Sequence, residues 1–196
     1  MRRRSSFAAP AVAAAACLIL SACSGGAAPR AVQVTASVSA PAAGPAGSAG
    51  HPAVFSCADE SFAGDSPVQQ RPQPGDLAAG PLIIPGGQRL ATADPAGYGE
   101  QGGYLKVPFV VLAGATVTVT IAGPARGHVV ISNANAPAGV TAATYSSCPG
   151  VAGFFAQGFA FTGGQTRGCV PLDVRAGDQR RVRHITLSLF AGSCPG

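Results

Sequence analysis

The chain of 196 residues has no tryptophan, a single lysine (Lys106) and a single methionine, the initiator Met1. Methionine-ligated copper is therefore excluded, because soft metals need thioether or thiolate ligands. The six cysteines never fall in the C-x-x-C spacing of structural zinc sites, and no nearby histidine completes a ligand set. G-x-S-x-G is absent: Gly47-Ser48-Ala49-Gly50 has the wrong spacing for a nucleophile elbow. No D-x-D-x-D-G supports calcium at Asp59-Glu60 beside Cys57. No convincing helical period occurs, so there is no glycine-rich phosphate loop between a strand and a helix, and no cofactor is expected. No apolar run reaches the ~20 residues of a stable transmembrane helix.

Charge is also scarce, at 11% of residues. The formal net charge of +5 overstates the basicity of the working protein. Three of the 13 basic residues are Arg2, Arg3 and Arg4, within a segment read below as a cleaved signal. The remaining ten face eight acids, a balance of +2. Nucleic-acid binding needs a clustered basic stripe. The only dense run left is Arg180-Arg181-Val182-Arg183, which reads as the charged start of a strand, and no nucleic-acid partner is expected.

What is present begins with Leu20-Ser21-Ala22-Cys23. The three arginines form a positive n-region, Phe7 to Leu20 an apolar h-region, and Ser21-Ala22 a small-residue cleavage site. The set reads as a lipoprotein signal over residues 1–22, with Cys23 as the lipidation site. One acyl chain holds a protein only marginally, and two or more make a stable anchor. An ordinary secretory signal with an incidental cysteine is the alternative. Arg3-Arg4 precedes Ser5-Ser6, where a twin-arginine signal wants an apolar residue, so export of the unfolded chain is favoured. The expected location is the extracytoplasmic face of the cell membrane, held by lipid at Cys23.

Residues 23–53 are dominated by Ala, Pro, Gly and Ser and cannot bury enough apolar surface to offset their ordering entropy. They read as a disordered stalk, spanning about 30 Å as a coil and about 90 Å if stiffened by proline. Residues 54–196 are expected to form one domain, with its core over 78–196.

Period-two alternation recurs there between Gly and Pro punctuation. Thr116-Val117-Thr118-Val119-Thr120-Ile121 is the clearest case. Leu105, Val107, Phe109 and Val111 make a second set, Leu172 and Val174 a third, and Ile185, Leu187 and Leu189 a fourth. Weaker strands are expected at Pro81–Pro85, Gln88–Thr92, Gly127–Ser132, Gly139–Ser147 and Phe154–Phe161. Ser61–Gly80, polar and Pro-rich, reads as a long loop or a second linker. Seven to nine short strands predict an all-β, antiparallel β-sandwich of immunoglobulin-like type, with a barrel as the alternative.

With Cys23 set aside, Cys57, Cys148, Cys169 and Cys194 make two pairs in an oxidising compartment. If the chain reverses at each turn after Cys148, Phe154–Phe161 crosses the sandwich and Cys169 starts the return strand. Cys169 and Cys194 then lie at one end and Cys148 at the other. The expected bridges are Cys169–Cys194 and Cys57–Cys148.

Candidate chemistry is thin. His51 lies in the stalk, His128 at a strand start, and His184 on the polar face of the last strand. His128 or His184 with Asp173 and one of several serines makes a triad by composition alone, and a triad is defined by geometry. Asp59, Glu60, Asp65, Asp76, Asp94 and Glu100 all sit in expected loops, where acids are mostly turn formers. Phe154, Phe155, Phe159 and Phe161 read as core, or else as an exposed apolar partner patch. No catalytic or metal residue is assigned.

Gly80-Pro81-Leu82 with Pro85-Gly86, Lys106-Val107-Pro108, Ala115 to Val119, Tyr145 to Cys148, Phe155-x-x-Gly158-Phe159, Cys169 to Val174 and Ala191-Gly192-x-Cys194 form a set over residues 80–196. In these the chain resembles uncharacterised small lipoproteins and secreted proteins of GC-rich, actinobacterial type. The resemblance implies a β-rich extracytoplasmic domain and transfers no catalytic residue. The expected function is a non-enzymatic binding module of the cell envelope, with an envelope protein or glycan as partner. An envelope hydrolase and an accessory subunit of an envelope complex are the alternatives.

Overall fold

Thr116–Ile121 is a strand along its whole length, with Val117, Val119 and Ile121 fully buried and the three threonines half-buried. The same alternation builds the rest of the domain. The structure is a computed structural model, and it describes residues 46–61, 70–98, 104–133 and 136–195. The strands are β1 (Ala53–Phe55), β2 (Leu77–Ala79), β3 (Leu82–Ile84), β4 (Tyr104–Lys106), β5 (Phe109–Val111), β6 (Thr116–Ile121) and β7 (Val129–Asn133). They continue with β8 (Ala136–Val140), β9 (Ala142–Ser146), β10 (Gly153–Phe155), β11 (Gln157–Phe161), β12 (Gly168–Ala176) and β13 (Val182–Leu189).

One sheet has the order β1-β9-β6-β12-β13, a second β10-β5-β3-β2 and a third β4-β11-β7-β8. The second and third sheets share two kinked runs of chain. Tyr104–Val111 passes between them across Val107-Pro108, and Gly153–Phe161 across Ala156. Pro108 has no N–H to give a ladder, which breaks the strand there. The Val107 N–H still donates to the Gln157 carbonyl at 2.9 Å, so the two runs stay paired through the bend. All named pairings are antiparallel except β1 with β9.

The core draws on all three sheets. It includes Leu105, Phe109, Val111, Val117, Val119, Ile121, Tyr145, Phe159, Leu172, Val174, Leu187 and Leu189. The all-β sandwich class therefore holds, and no barrel closes. The strand segments among the described residues number thirteen, more than seven to nine, because two long strands are broken by the kinks and several others are only three residues long.

Three local expectations change. Gln88–Thr92 is not a strand: Arg89–Ala91 is a 3₁₀ turn. The carboxylate of Asp76 accepts from the Gly86 and Gln73 N–H groups at 2.7 Å each, holding the Pro85–Gln88 turn in a geometry that a strand cannot continue. Ser61–Gly80 contains β2, which pairs with β3; residues 62–69 of that segment lie outside the described residues. The folded part also starts before Val54. Gly47 accepts at its carbonyl from the Thr141 and Ala142 N–H groups, both at 2.8 Å, and Phe55 belongs to the core. Residues 1–45, including the expected signal and Cys23, lie outside the described residues.

Of the phenylalanine set, Phe155 and Phe159 are buried and Phe154 and Phe161 half-buried, which is the core reading. Phe155 packs on Tyr145 with ring centroids 5.1 Å apart, and Phe109 meets the same ring edge-on at 5.5 Å. Aromatic pairs favour such offset and edge-to-face arrangements. The Tyr145 hydroxyl and both polar atoms of the Gln157 amide are buried in this core without a hydrogen-bond partner among the described residues. Burial pushes the Tyr145 hydroxyl far above its ordinary value. The neighbouring Gln157 amide pulls weakly the other way, although no well-formed bond joins the two.

Two predictions follow from this packing. A Cβ at Gly158 would collide with the backbone carbonyl of Leu105 on β4, which has no side-chain freedom to yield. Gly158→Ala should lower stability in urea unfolding by about 3 kcal/mol; Gly50, with nothing within 4 Å of its Cβ position, supplies the neutral control. Tyr145 has a folded-state pKa above its ordinary value of 10.0. Its contribution to stability is therefore complete below pH 10 and declines as the pH rises beyond it. Tyr145→Phe should move the alkaline unfolding midpoint upward and, because it removes a buried hydroxyl without a partner, raise neutral-pH stability by about 1–3 kcal/mol.

Candidate functional site

The side chains that point away from the core on the five-stranded sheet form ordered rows. Cross-strand register puts Val54, Thr144, Thr118, Arg175 and Val182 in one row. Ala142, Thr120, Asp173 and His184 make the next. The Thr118 and Thr144 hydroxyls share a hydrogen bond of 2.8 Å, and those of Thr116 and Ser146 one of 3.0 Å. Such cross-strand pairs each add a few tenths of a kcal/mol up to about 1 kcal/mol. They also hold the hydroxyls in a fixed lattice on an accessible face.

Asp173 and His184 meet at the end of the second row, with His184 Nδ1 2.7 Å from Asp173 Oδ1. A carboxylate only accepts, so Nδ1 is the donor and Nε2 takes no part in the bond. The His184 side chain is 78% exposed and that of Asp173 30%. The ring is thus oriented but solvated, and lacks the dry surroundings that strengthen catalytic electrostatics. The outward-facing serine on the same strand, Ser188, donates instead to the Gly192 carbonyl at 2.7 Å. Among the described residues, the structure brings together two members of the Ser-His-Asp set and gives His184 no serine as a hydrogen-bond partner.

Two clefts flank the pair. One, of about 230 Å³, is bounded by Thr118, Asp173 and Arg175 on the sheet and by Ala49, Gly50 and Pro52 across from them. That wall is a tight turn, closed by the His51 N–H donating to the Ser48 carbonyl at 3.0 Å. It covers Ala142, which is fully buried although it faces outward. The other cleft, of about 450 Å³, places His184, Thr186 and Ser188 opposite Leu77 and Gln88. Neither feature was legible in the sequence. A turn centred on Gly177 would set Asp173 opposite Arg181, whereas the observed register is centred between Asp178 and Gln179, and Gly47–Pro52 shares the Ala, Pro, Gly and Ser composition of the residues before it.

The other candidates separate. His51 is exposed in the wall turn, and His128 is exposed beside a third cavity of about 250 Å³ that also contacts Phe161 and Cys169. The acids serve local structure. Asp59 closes a capping box with Ser56, Asp94 accepts from the Ala96 N–H at 3.0 Å, and Glu60 accepts from the Cys148 N–H at 3.0 Å. Asp65 and Glu100 lie outside the described residues. Cys57, Glu60 and Cys148 do converge. The two sulfurs are bonded to each other, so they offer no thiolate to a metal.

The bridges are Cys57–Cys148 and Cys169–Cys194, with Cα separations of 4.9 and 5.7 Å. The first ties the chain just after β1 to the end of β9. The second ties the C-terminal segment to β12. The segment leading to Cys194 turns sharply at Phe190, whose φ of 57° is left-handed. That conformation costs a non-glycine residue about 1–2 kcal/mol. Here it is over-determined by the buried ring and by the Phe190 N–H, which donates to the Leu90 carbonyl at 3.0 Å.

The chain matches no family model, no curated protein and no solved structure.

Removing each bridge separately should rank their contributions. The 91-residue separation of Cys57–Cys148 and the 25 of Cys169–Cys194 correspond to about 4.6 and 3.5 kcal/mol of lost loop entropy. Thermal unfolding of paired Cys→Ser variants should follow that order, and peptide mapping of the oxidised parent should yield no Cys148–Cys169 link.

Proposed function

We propose that this chain is a lipid-anchored, extracytoplasmic binding module of the cell envelope, tethered through Cys23. The observation that carries the reading is the accounting of its cysteines. Four of the five beyond the signal close two bridges across the domain, and the one left over is the lipobox cysteine. Disulfides persist in oxidising, extracytoplasmic compartments, in agreement with the address read at residues 20–23. Among the described residues no helix is long and apolar enough to cross the membrane. The lipid at Cys23 would then be the means of attachment.

The recognition surface is proposed to be the outer face of the five-stranded sheet, at the cleft of Thr118, Asp173 and Arg175. Among the described residues, the large hydrophobics exposed to solvent are Val54, Tyr98 and Val151, on three different elements. An apolar docking patch is poorly supported by them. A carboxylate, a guanidinium and paired hydroxyls on a rigid sheet suit a polar partner, a glycan or a hydrophilic protein surface. A second reading, an envelope hydrolase, is favoured by one observation, the oriented Asp173–His184 pair with Nε2 free.

Replacing Cys23 by Ala should release the protein into the medium and abolish labelling by palmitate. Retention in membranes washed at high salt would refute the anchor. With the released protein isotopically labelled, envelope glycan fragments should shift the amide resonances of Thr118, Asp173, Arg175 and His184 in NMR spectra. Ester hydrolysis that disappears in Asp173→Asn would instead establish the hydrolase.

A further inference from the structure

We propose that the tip of the β12–β13 ribbon docks on the anionic headgroup phosphates of the bilayer to which the chain is tethered, setting the orientation of the domain. The proposal rests on the anchor reading above.

The pairing of β12 with β13 concentrates charge in a way the linear run does not show. Arg175 lies opposite Val182 and Val174 opposite Arg183, and these are the last two cross-strand pairs before the turn. Arg180 and Arg181 are in the turn itself. Four arginines therefore occupy one end of a two-stranded ribbon, and all four are exposed. They are distributed around it. Arg175 has the outward parity of Asp173. Arg183 has the opposite parity and lies across the neighbouring β2–β3 turn, its Nε 3.4 Å from the Cβ position of Gly80. A ring of charge at a tip fits a planar surface met end-on better than a groove-bound ligand.

None of the four arginines forms an ion pair with a described residue. Of the two acids on the ribbon, Asp173 is engaged by His184 at 2.7 Å. Asp178, in the turn, is the other. The tip thus keeps most of its positive charge in a chain whose overall balance is small. Screening at physiological salt, with a Debye length of about 8 Å, confines the effect to a surface that the tip reaches directly.

A second observation gives the location meaning. The stretch by which the N-terminal tether enters the domain passes beside this ribbon, since Ala49, Gly50 and Pro52 wall the same cleft as Arg175 and Val182. A lipid on Cys23 is joined to this entry point by residues 24–45 alone. Tethering converts a weak surface contact into an intramolecular one at high effective concentration. A basic patch beside a lipid anchor is the usual pairing of two membrane signals. Each basic residue near an anionic surface strengthens binding by about fivefold.

The test uses protein released by Cys23→Ala and vesicles of phosphatidylcholine with or without phosphatidylglycerol. The released protein should sediment with the anionic vesicles only, and dissociate at about 1 M salt, where the Debye length is near 3 Å. R180Q/R181Q should weaken binding roughly 25-fold, while R180K/R181K keeps it. These turn residues are exposed, so an unchanged disulfide map serves as the folding control. Equal binding to both vesicle types overturns the proposal, as does a glutamine variant that binds like the parent. Binding to a soluble sulfated polysaccharide without vesicle binding also overturns it, in favour of a polymeric anion. Failure of the anchor reads out separately: a Cys23→Ala protein that stays in cell membranes after a wash at about 1 M salt, which strips a contact made through the tip, refutes the tether, and the same protein extracted in detergent still reports on the tip.

Discussion

The register of β6 between β9 and β12 is the constraint on which the rest of the domain depends. Val117, Val119 and Ile121 are fully buried, each worth about 1.5–3 kcal/mol. A slip of one residue would exchange them for threonines. With that register held, Val119 meets Ala143 on one side and Val174 on the other. Tyr145 must then face the core, and Asp173, Arg175 and Thr118 must face outward. The polar face, the Asp173–His184 pair and the arginine tip are thus by-products of apolar burial on the opposite side of the same strands.

The second layer achieves its packing differently. Short strands and two kinks let the Tyr104–Val111 and Gly153–Phe161 runs wrap the core, at the cost of tolerances that leave no room for a Cβ at Gly158. Burying Tyr145 and Gln157 without partners adds a further cost, since an unpaired buried polar group is unfavourable by about 1–3 kcal/mol. Strands this short contribute few ladder bonds. The two bridges bear correspondingly more of the load, one holding the first strand and the other the C-terminal segment.

The strongly alternating segments were legible because period two over six to nine residues has one interpretation. Topology then sufficed to pair the four cysteines, since strand direction decides which ends of a sandwich meet. Gln88–Thr92 misled because its composition suits a strand, whereas the Asp76 carboxylate, a dozen residues upstream, holds the turn before it. The three-residue strands β1 and β2 were invisible, since three residues carry no period. Pro- and Gly-rich composition concealed the Gly47–Pro52 wall, which is held by backbone bonds to Thr141 and Ala142 that leave no trace in side-chain pattern.

The sequence by itself determined the all-β class and the inward and outward residues of the long strands. These depend on local periodicity between Gly and Pro punctuation. Only the tertiary structure decided that His184 meets Asp173 but no serine among the described residues, that residues of stalk-like composition wall a polar cleft, and that four arginines ring one ribbon tip. Each of these depends on cross-strand register and on loop paths over the sheet, distances set by packing between residues far apart in the chain.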